Sequence, residues 1–258
     1  MGILNVTPDS FSNGGQHLDA GAAIDAGLAM VRDGAAILDI GGESTRPGSA
    51  PVGPAEEWAR IRPVIAGLRD AGVPLSIDTR NASTMAAALD AGARIINDVS
   101  ALTHDPDAAD LIAARGCPVI LMHMRGTPAT MNSLAVYGDV CSEVIAELAA
   151  RVVAAEAAGI RRDAIAIDPG FGFAKHARHN TALLRGVSGV QVLGLPMVVG
   201  VSRKRFIRAL SGATDSASLD CASAAAGLFA LSKGASVLRV HDVAGTAYAV
   251  RVWQALAL

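Results

Sequence analysis

The sequence predicts an α/β protein folded as a single (β/α)8 TIM barrel domain over residues 1–258. Three observations carry this: eight short Ile/Leu/Val runs, an Ala-rich helix-period segment after each, and a length close to that of one such barrel. The runs are GILNV (2–6), AAILDIG (35–41), PLSID (74–78), RIINDV (94–99), PVILMH (118–123), AIAID (164–168), MVVGV (197–201) and SVLRV (236–240). They read as continuous apolar strands, which fits a parallel sheet covered on both faces. Between them, DAGAAIDAGLAMVRDG (19–34), PAEEWARIRPVIAGLRDAG (54–72) and SEVIAELAARVVAAEAAG (142–159) repeat apolar residues at helical spacing on strong helix formers. Gly34, Gly72, Gly92, Gly116, Gly159 and Gly234 stand just before the next strand, where a helix end favours glycine. The rival architecture, an open doubly wound sheet, would carry G-x-G-x-x-G after its first strand, and no such run follows residue 6. No composition shift or charged linker marks a second domain.

Composition excludes several functions. With a net charge of −2 and 3% aromatic residues, the chain has neither the field nor the stacking platforms for nucleic acid, and no general attraction to an anionic membrane. Runs such as LGLPMVVGV are about half the roughly 20 residues that span a bilayer. Cys117, Cys141 and Cys221 are widely spaced and odd in number, which suggests neither a disulfide framework nor a zinc site and points to the reducing cytoplasm.

In a barrel the site lies at the C-terminal ends of the strands. Those exits carry Asn5, then GGESTRPG (41–48) with Thr45, Arg46 and Pro47, then Asp78, Asn97, His123, Asp168, Ser202 with Lys204, and Arg239 with His241. Helix capping accounts for Asp, Asn and Ser taken singly. It does not account for Lys204, Arg239 and His241, which are poor caps, or for Asp168 before a proline. Cationic side chains at the tips of apolar strands suggest an anion, supplemented by the N–H groups that open the last helix. Asp78, Asn97 and Asp168 supply acceptors and an amide suited to the edge of a planar nitrogen heterocycle. Elsewhere, Asp39 within strand 2 is expected to bond to loop backbone, and His123 to be packed and hydrogen-bonded. Lys175 and Arg178 read as a solvated face, and His104, His176 and His179 as loop residues.

NVTPDSFSNGG (5–15), ILDIGGESTRPGS (37–49), SIDT (76–79), IINDVS (95–100), LMHMRGTPATM (121–131), DPGFGFAK (168–175), GVSRK (200–204) and RVHDV (239–243) together resemble the dihydropteroate synthase family of the folate pathway. The resemblance runs in order along nearly the whole chain. It implies the same eight-stranded barrel and condensation of 6-hydroxymethyl-7,8-dihydropterin diphosphate with p-aminobenzoate, with magnesium present. It implies that Asp78, Asn97, Asp168 and Lys204 hold the pterin, and that Asn5, Arg239 and His241 hold the diphosphate, Asn5 also offering an oxygen to Mg2+. Phe11, Thr45, Arg46, Pro47, Phe173 and Ser202 would surround p-aminobenzoate, the site of sulfonamide action, with residues 5–15 as a lid. Asn5, Lys204, Arg239 and His241 would carry catalysis by stabilising the leaving group. A homodimer is the family expectation.

Three departures stand out. Asn13 replaces the family's Asp after Phe11, Ala174 stands where DPGFGFGK has Gly, and the chain opens directly on the first strand, which implies a trimmed start. The alternatives are a methyltetrahydrofolate-corrinoid methyltransferase-like protein, which needs neither the STRPG loop nor the Arg239/His241 anion site, and a non-catalytic pterin-binding relative.

Overall fold

The computed structural model of the chain describes residues 1–7, 20–45 and 48–257. Strand and helix alternate as β1 (Gly2–Asn5), α1 (Ala20–Arg32), β2 (Leu38–Gly41), α2 (Pro54–Leu68), β3 (Leu75–Asp78), α3 (Ala82–Asp90), β4 (Ile95–Asp98), α4 (Ala108–Arg115), β5 (Val119–Met122) and α5 (Val140–Ala157). Then come β6 (Ile165–Asp168), α6 (Ala177–Arg185), β7 (Val198–Val199), α7 (Arg205–Ser211), α8 (Ser216–Ser232), β8 (Val237–Leu238) and α9 (Val243–Ala257). The six helix-end glycines named above all take left-handed φ values, from 60° to 112°.

The barrel is parallel throughout. β1 to β6 pair in sequence order, β7 pairs with β8, and single parallel bridges at Ile167–Met197 and Gly2–Val240 join the two sets into a closed ring. Backbone bonds from Ile167 N to Pro196 O (2.9 Å) and Ile3 N to Val240 O (2.8 Å) seal these seams. β7 and β8 are two residues each, shorter than the five-residue runs read from the sequence.

The strands are four residues long or less, so their two faces differ in only two side chains each. Outward-pointing Leu4, Leu38, Ile40, Ile77, Ile96, Leu121 and Ile167 are buried against helix residues such as Ile61, Ile65, Leu68, Ile112 and Leu148. Each such side chain contributes about 1.5–3 kcal/mol, so the apolar core lies between the strands and the helices. The inner face is mixed, with Ile3, Ile120 and Met122 beside Asp39, Ser76 and Asn97, which corrects in part the reading of the strands as apolar on both faces. Asp39 and Ser76 face each other in register and are fully buried, and Ser76 Oγ donates to Asp39 Oδ1 at 2.6 Å. Among the described residues no helix is long and apolar enough to cross a membrane.

Candidate functional site

Strand register places the first candidate residues at one level. Asn5 lies opposite Gly41, Gly41 opposite Asp78, and Asp78 opposite Asn97. Gly41 leaves a gap in this layer between Asn5 and Asp78. One step below, Asp39 Oδ2 accepts from Asn97 Nδ2 at 3.0 Å and from Arg239 Nε at 2.6 Å, so it bonds to side chains across the barrel and not to loop backbone as expected. Donation from its amide nitrogen to Asp39 orients Asn97 and leaves its carbonyl oxygen for a ligand.

Arg239 also donates Nη2 to Asp78 Oδ2 at 2.7 Å, so one guanidinium bridges two carboxylates. Burial opposes its charge, but Asp39 and Asp78 outweigh burial and hold its pKa above the ordinary value. Burial pushes Asp78 up to about 7, while Arg239 pulls it down and Asp39 pushes it further up. Burial and Asp39 thus oppose the charge on Asp78, and the Arg239 guanidinium favours it.

β6 delivers Asp168, whose Oδ1 accepts from Gly170 N at 2.7 Å and whose pKa is raised by burial, against the pull of Gly170, Lys204 and Arg239. The following turn bends sharply. Gly170 takes φ +71° with the carbonyl of His123 only 1.9 Å from where a Cβ would sit, so no larger residue fits. Gly172, at φ +83°, lets Lys204 lie across the chain and bring Nζ 4.3 Å from the centre of the Phe173 ring. Burial pushes Lys204 down to about 8, with Arg239 adding to the effect.

Ala174 has φ +47°, a conformation that a glycine would adopt without cost. Ala174→Gly should therefore stabilise the chain by about 0.5 kcal/mol, the difference between roughly 1 kcal/mol of left-handed strain and the glycine's extra unfolded freedom. The urea midpoint measures it.

Ser202 and His241 form a pair. Ser202 Oγ accepts from His241 N at 3.1 Å and lies 3.0 Å from His241 Nδ1, to which it can donate. That arrangement leaves the ring proton on Nε2. Burial pushes His241 down to about 4, with Arg203 and Arg239 assisting, so at neutral pH it is an uncharged N–H donor. Ser202, expected beside p-aminobenzoate, thus has its hydroxyl engaged in orienting His241.

A cavity of about 1160 Å3 opens above these groups. Asn5, Thr45, Asp78, Phe173, Ser202, Lys204, Arg239 and His241 line it, while Asn97 and Asp168 are 5% and 6% exposed beneath it. Phe11, Arg46, Pro47 and Asn13 lie outside the described residues.

Supporting residues were not foreseen. Glu43 takes Arg80 in two bonds of 2.8 and 3.1 Å and also accepts from Val52 N, so it ties both ends of the loop that carries Thr45. Glu57 is fully buried and raised by burial, and its Oε2 accepts from Thr79 Oγ1 and Asn81 Nδ2 beside Asp78. Lys175 is 7% exposed, which overturns its reading as a solvated face, and His179 lies within α6 and not in a loop. The sequence signal for Asp39 is an acid in an otherwise apolar run, whereas Glu57, in the charged stretch PAEEWARIR, carries none.

The family of pterin binding enzymes matches residues 1–241. The dihydropteroate synthase of Neisseria meningitidis serogroup C is 46% identical over 262 residues, covering 100% of this chain and 92% of that protein. Among solved structures, Xanthomonas albilineans dihydropteroate synthase with 4-aminobenzoic acid superposes with a TM-score of 0.93 at 47% identity, over 99% of this chain and 92% of the other. The same organism's enzyme in complex with 7,8-dihydropteroate gives 0.89 at 45% identity, with the same coverage. A barrel mouth with this residue set, matched along its length by these relatives, means that the chain belongs to the dihydropteroate synthase family of pterin-binding enzymes.

Proposed function

We propose that the chain is a transferase of folate biosynthesis that condenses 6-hydroxymethyl-7,8-dihydropterin diphosphate with p-aminobenzoate to give 7,8-dihydropteroate and diphosphate. The observation that carries this reading is the convergence, in one barrel mouth, of heterocycle-binding acceptors with anion-binding donors. Asp168 accepts N–H bonds from the aminopyrimidinone edge, and the Asn97 carbonyl and Asp78 take further ring atoms. Lys204 lies between the pterin acceptors and the Phe173 ring. Arg239 and His241 face the diphosphate, one as a cation and the other as the neutral Nε2–H donor that Ser202 sets.

The reaction breaks a carbon–oxygen bond, leaves positive charge on the pterin and negative charge on the diphosphate, and then forms the carbon–nitrogen bond to the amine. Carboxylates near the ring and donors near the leaving group stabilise both developing charges, and their fixed placement is what makes them effective. No side-chain nucleophile is needed. Phe173 and Thr45, with Phe11, Arg46 and Pro47 from the two loops, are assigned to p-aminobenzoate, and closure over them would exclude water.

Among the described residues no group of three or more His, Cys, Asp or Glu is placed to hold a metal ion. Mg2+ nonetheless fits, because it keeps several waters and is commonly held by one or two protein oxygens plus substrate phosphate. Asn5, on the cavity wall, is the residue assigned to it. When bound, Mg2+ would neutralise charge on the departing diphosphate.

We read the chain as one cytoplasmic domain, and as a homodimer joined through the apolar C-terminal helices, SAAAGLFALSKG (223–234) among them, where Phe229, Tyr248 and Val252 are exposed. Titration calorimetry tests the site assignment. The dihydropterin diphosphate should bind with magnesium and more weakly to Lys204→Met, whereas methyltetrahydrofolate should compete poorly. Preference for methyltetrahydrofolate would overturn the reading.

A further inference from the structure

From Lys175, on the cavity wall, a row of polar side chains runs inward that the proposed chemistry does not use. Lys175 Nζ lies 3.0 Å from Gly170 O, 3.1 Å from Phe173 O and 2.8 Å from His123 Nδ1. A charged ammonium has three N–H donors, and three acceptors surround it. A neutral amine could bond both carbonyls and accept from His123 Nδ1–H, but that would leave Nε2 bare against the Glu147 carboxylate, so the whole row fits only a protonated Lys175 facing a bare Nδ1. That puts the imidazole proton on Nε2, where Glu147 Oε2 waits at 3.0 Å. Glu147 is held in turn by Arg125. Geometry alone thus specifies the protonation of the whole row.

Both carbonyls that Lys175 binds belong to the turn that shapes the mouth. Phe173 N bonds back to Gly170 O at 3.2 Å, and Gly172 N donates to Asn180 Oδ1 at 2.7 Å. The turn passes through left-handed residues at 170, 172 and 174, which its own backbone does not favour at Ala174. Lys175 closes it from behind while Lys204 covers the Phe173 ring from the front.

We propose that Lys175 is a positioning residue for the p-aminobenzoate side of the mouth, its ammonium clamping the 170–173 turn so that Phe173 is held against Lys204. The identity of the affected substrate rests on the function proposed above; the clamp does not.

The clamp should respond to pH. Burial first, then Arg125 and Lys204, push Lys175 down to about 7, against the pull of Asp168 on β6 and Glu147 on α5. His123, pushed down to about 4 by burial and by Lys175 and Arg125, against Glu147, stays neutral through that range. Once neutral, Lys175 has two N–H donors and a lone pair facing three acceptors, and the turn loosens. Stability moves the other way. A lysine whose folded pKa lies below its ordinary 10.5 costs the fold most below about 7, and the cost fades as pH rises towards 10.5. Loss of loop order with a gain of global stability is a combination that a merely structural lysine does not produce.

The test uses the full chain and Lys175→Met at pH 6 and pH 8.5. Amide exchange over 170–174, corrected for intrinsic rate, should show about five- to tenfold less protection at pH 8.5 in the parent chain, the equivalent of one lost hydrogen bond. In Lys175→Met it should be low at both. At pH 6 the variant's KM for p-aminobenzoate should rise about tenfold, while that for the dihydropterin diphosphate stays within about twofold. Equal protection of residues 170–174 in the parent chain and in Lys175→Met at pH 6 would overturn the clamp, and so would equal rises in both KM values. If the parent chain makes no product, the synthase reading fails, and the exchange measurement still decides the clamp.

Discussion

Asp168→Asn should lower kcat/KM for the dihydropterin diphosphate by about 10²- to 10³-fold and at the same time raise the melting temperature of the free protein. Both effects come from one environment. In the proposed pose the buried carboxylate accepts two N–H bonds from the ring, charge-assisted bonds of roughly 1.5–3 kcal/mol each, and the amide replaces one acceptor with a donor facing donors. A loss of about 3–4 kcal/mol corresponds to that fall in rate. Without ligand the same carboxylate is a liability, since burial raises its pKa above the ordinary value. A raised acid costs stability in full above its folded pKa, and the cost fades as pH falls from there towards the ordinary 3.8, so the Asn variant gains most at neutral and alkaline pH. Steady-state kinetics with calorimetric melting at pH 8 checks both signs. A variant that loses activity and stability together would mean that Asp168 holds the fold and not the ligand.

Arg239→Met removes the cation shared by Asp39 and Asp78. Breaking a buried ion pair by deleting one partner typically costs about 3–5 kcal/mol, because the remaining charge is left without compensation. At pH 8 the variant should be destabilised by roughly that amount, and its activity lost. The deficit should shrink on acidification. Asp78 already titrates near 7 with Arg239 pulling it down, and without that pull its folded pKa rises further above the ordinary 3.8. Its penalty is then full above the new value and fades as the carboxyl takes a proton below it. Urea midpoints at pH 8 and pH 5.5 measure the difference. An equal deficit at both would show that Arg239 stabilises by packing alone.

The strand ends were legible because a barrel puts every strand exit in one mouth, so Asn5, Asp78, Asn97 and Asp168 could be grouped without knowing any contact. The inner face was not legible. In four-residue strands such as LDIG and LSID, a two-residue alternation is too short to separate from an apolar run, and Asp39 looked incidental until Arg239, 200 residues later, was seen to bond to it. Lys175 was misread for a related reason. Charge in a loop argues for solvent, and only the return of His123 and the 170–173 carbonyls over it makes the burial tolerable. Ala174 could be questioned from the sequence because a glycine is replaced there, and the positive φ gives that doubt a physical cause.

The most direct test is a product assay. Purified chain, magnesium, dihydropterin diphosphate and p-aminobenzoate should yield dihydropteroate and diphosphate in equal amounts, with both products lost in a folded Lys204→Ala variant. Tight binding of the dihydropterin diphosphate with neither product formed would contradict the account. It would leave a pterin-binding protein without the chemistry, with Asn13 as the first residue to restore to Asp.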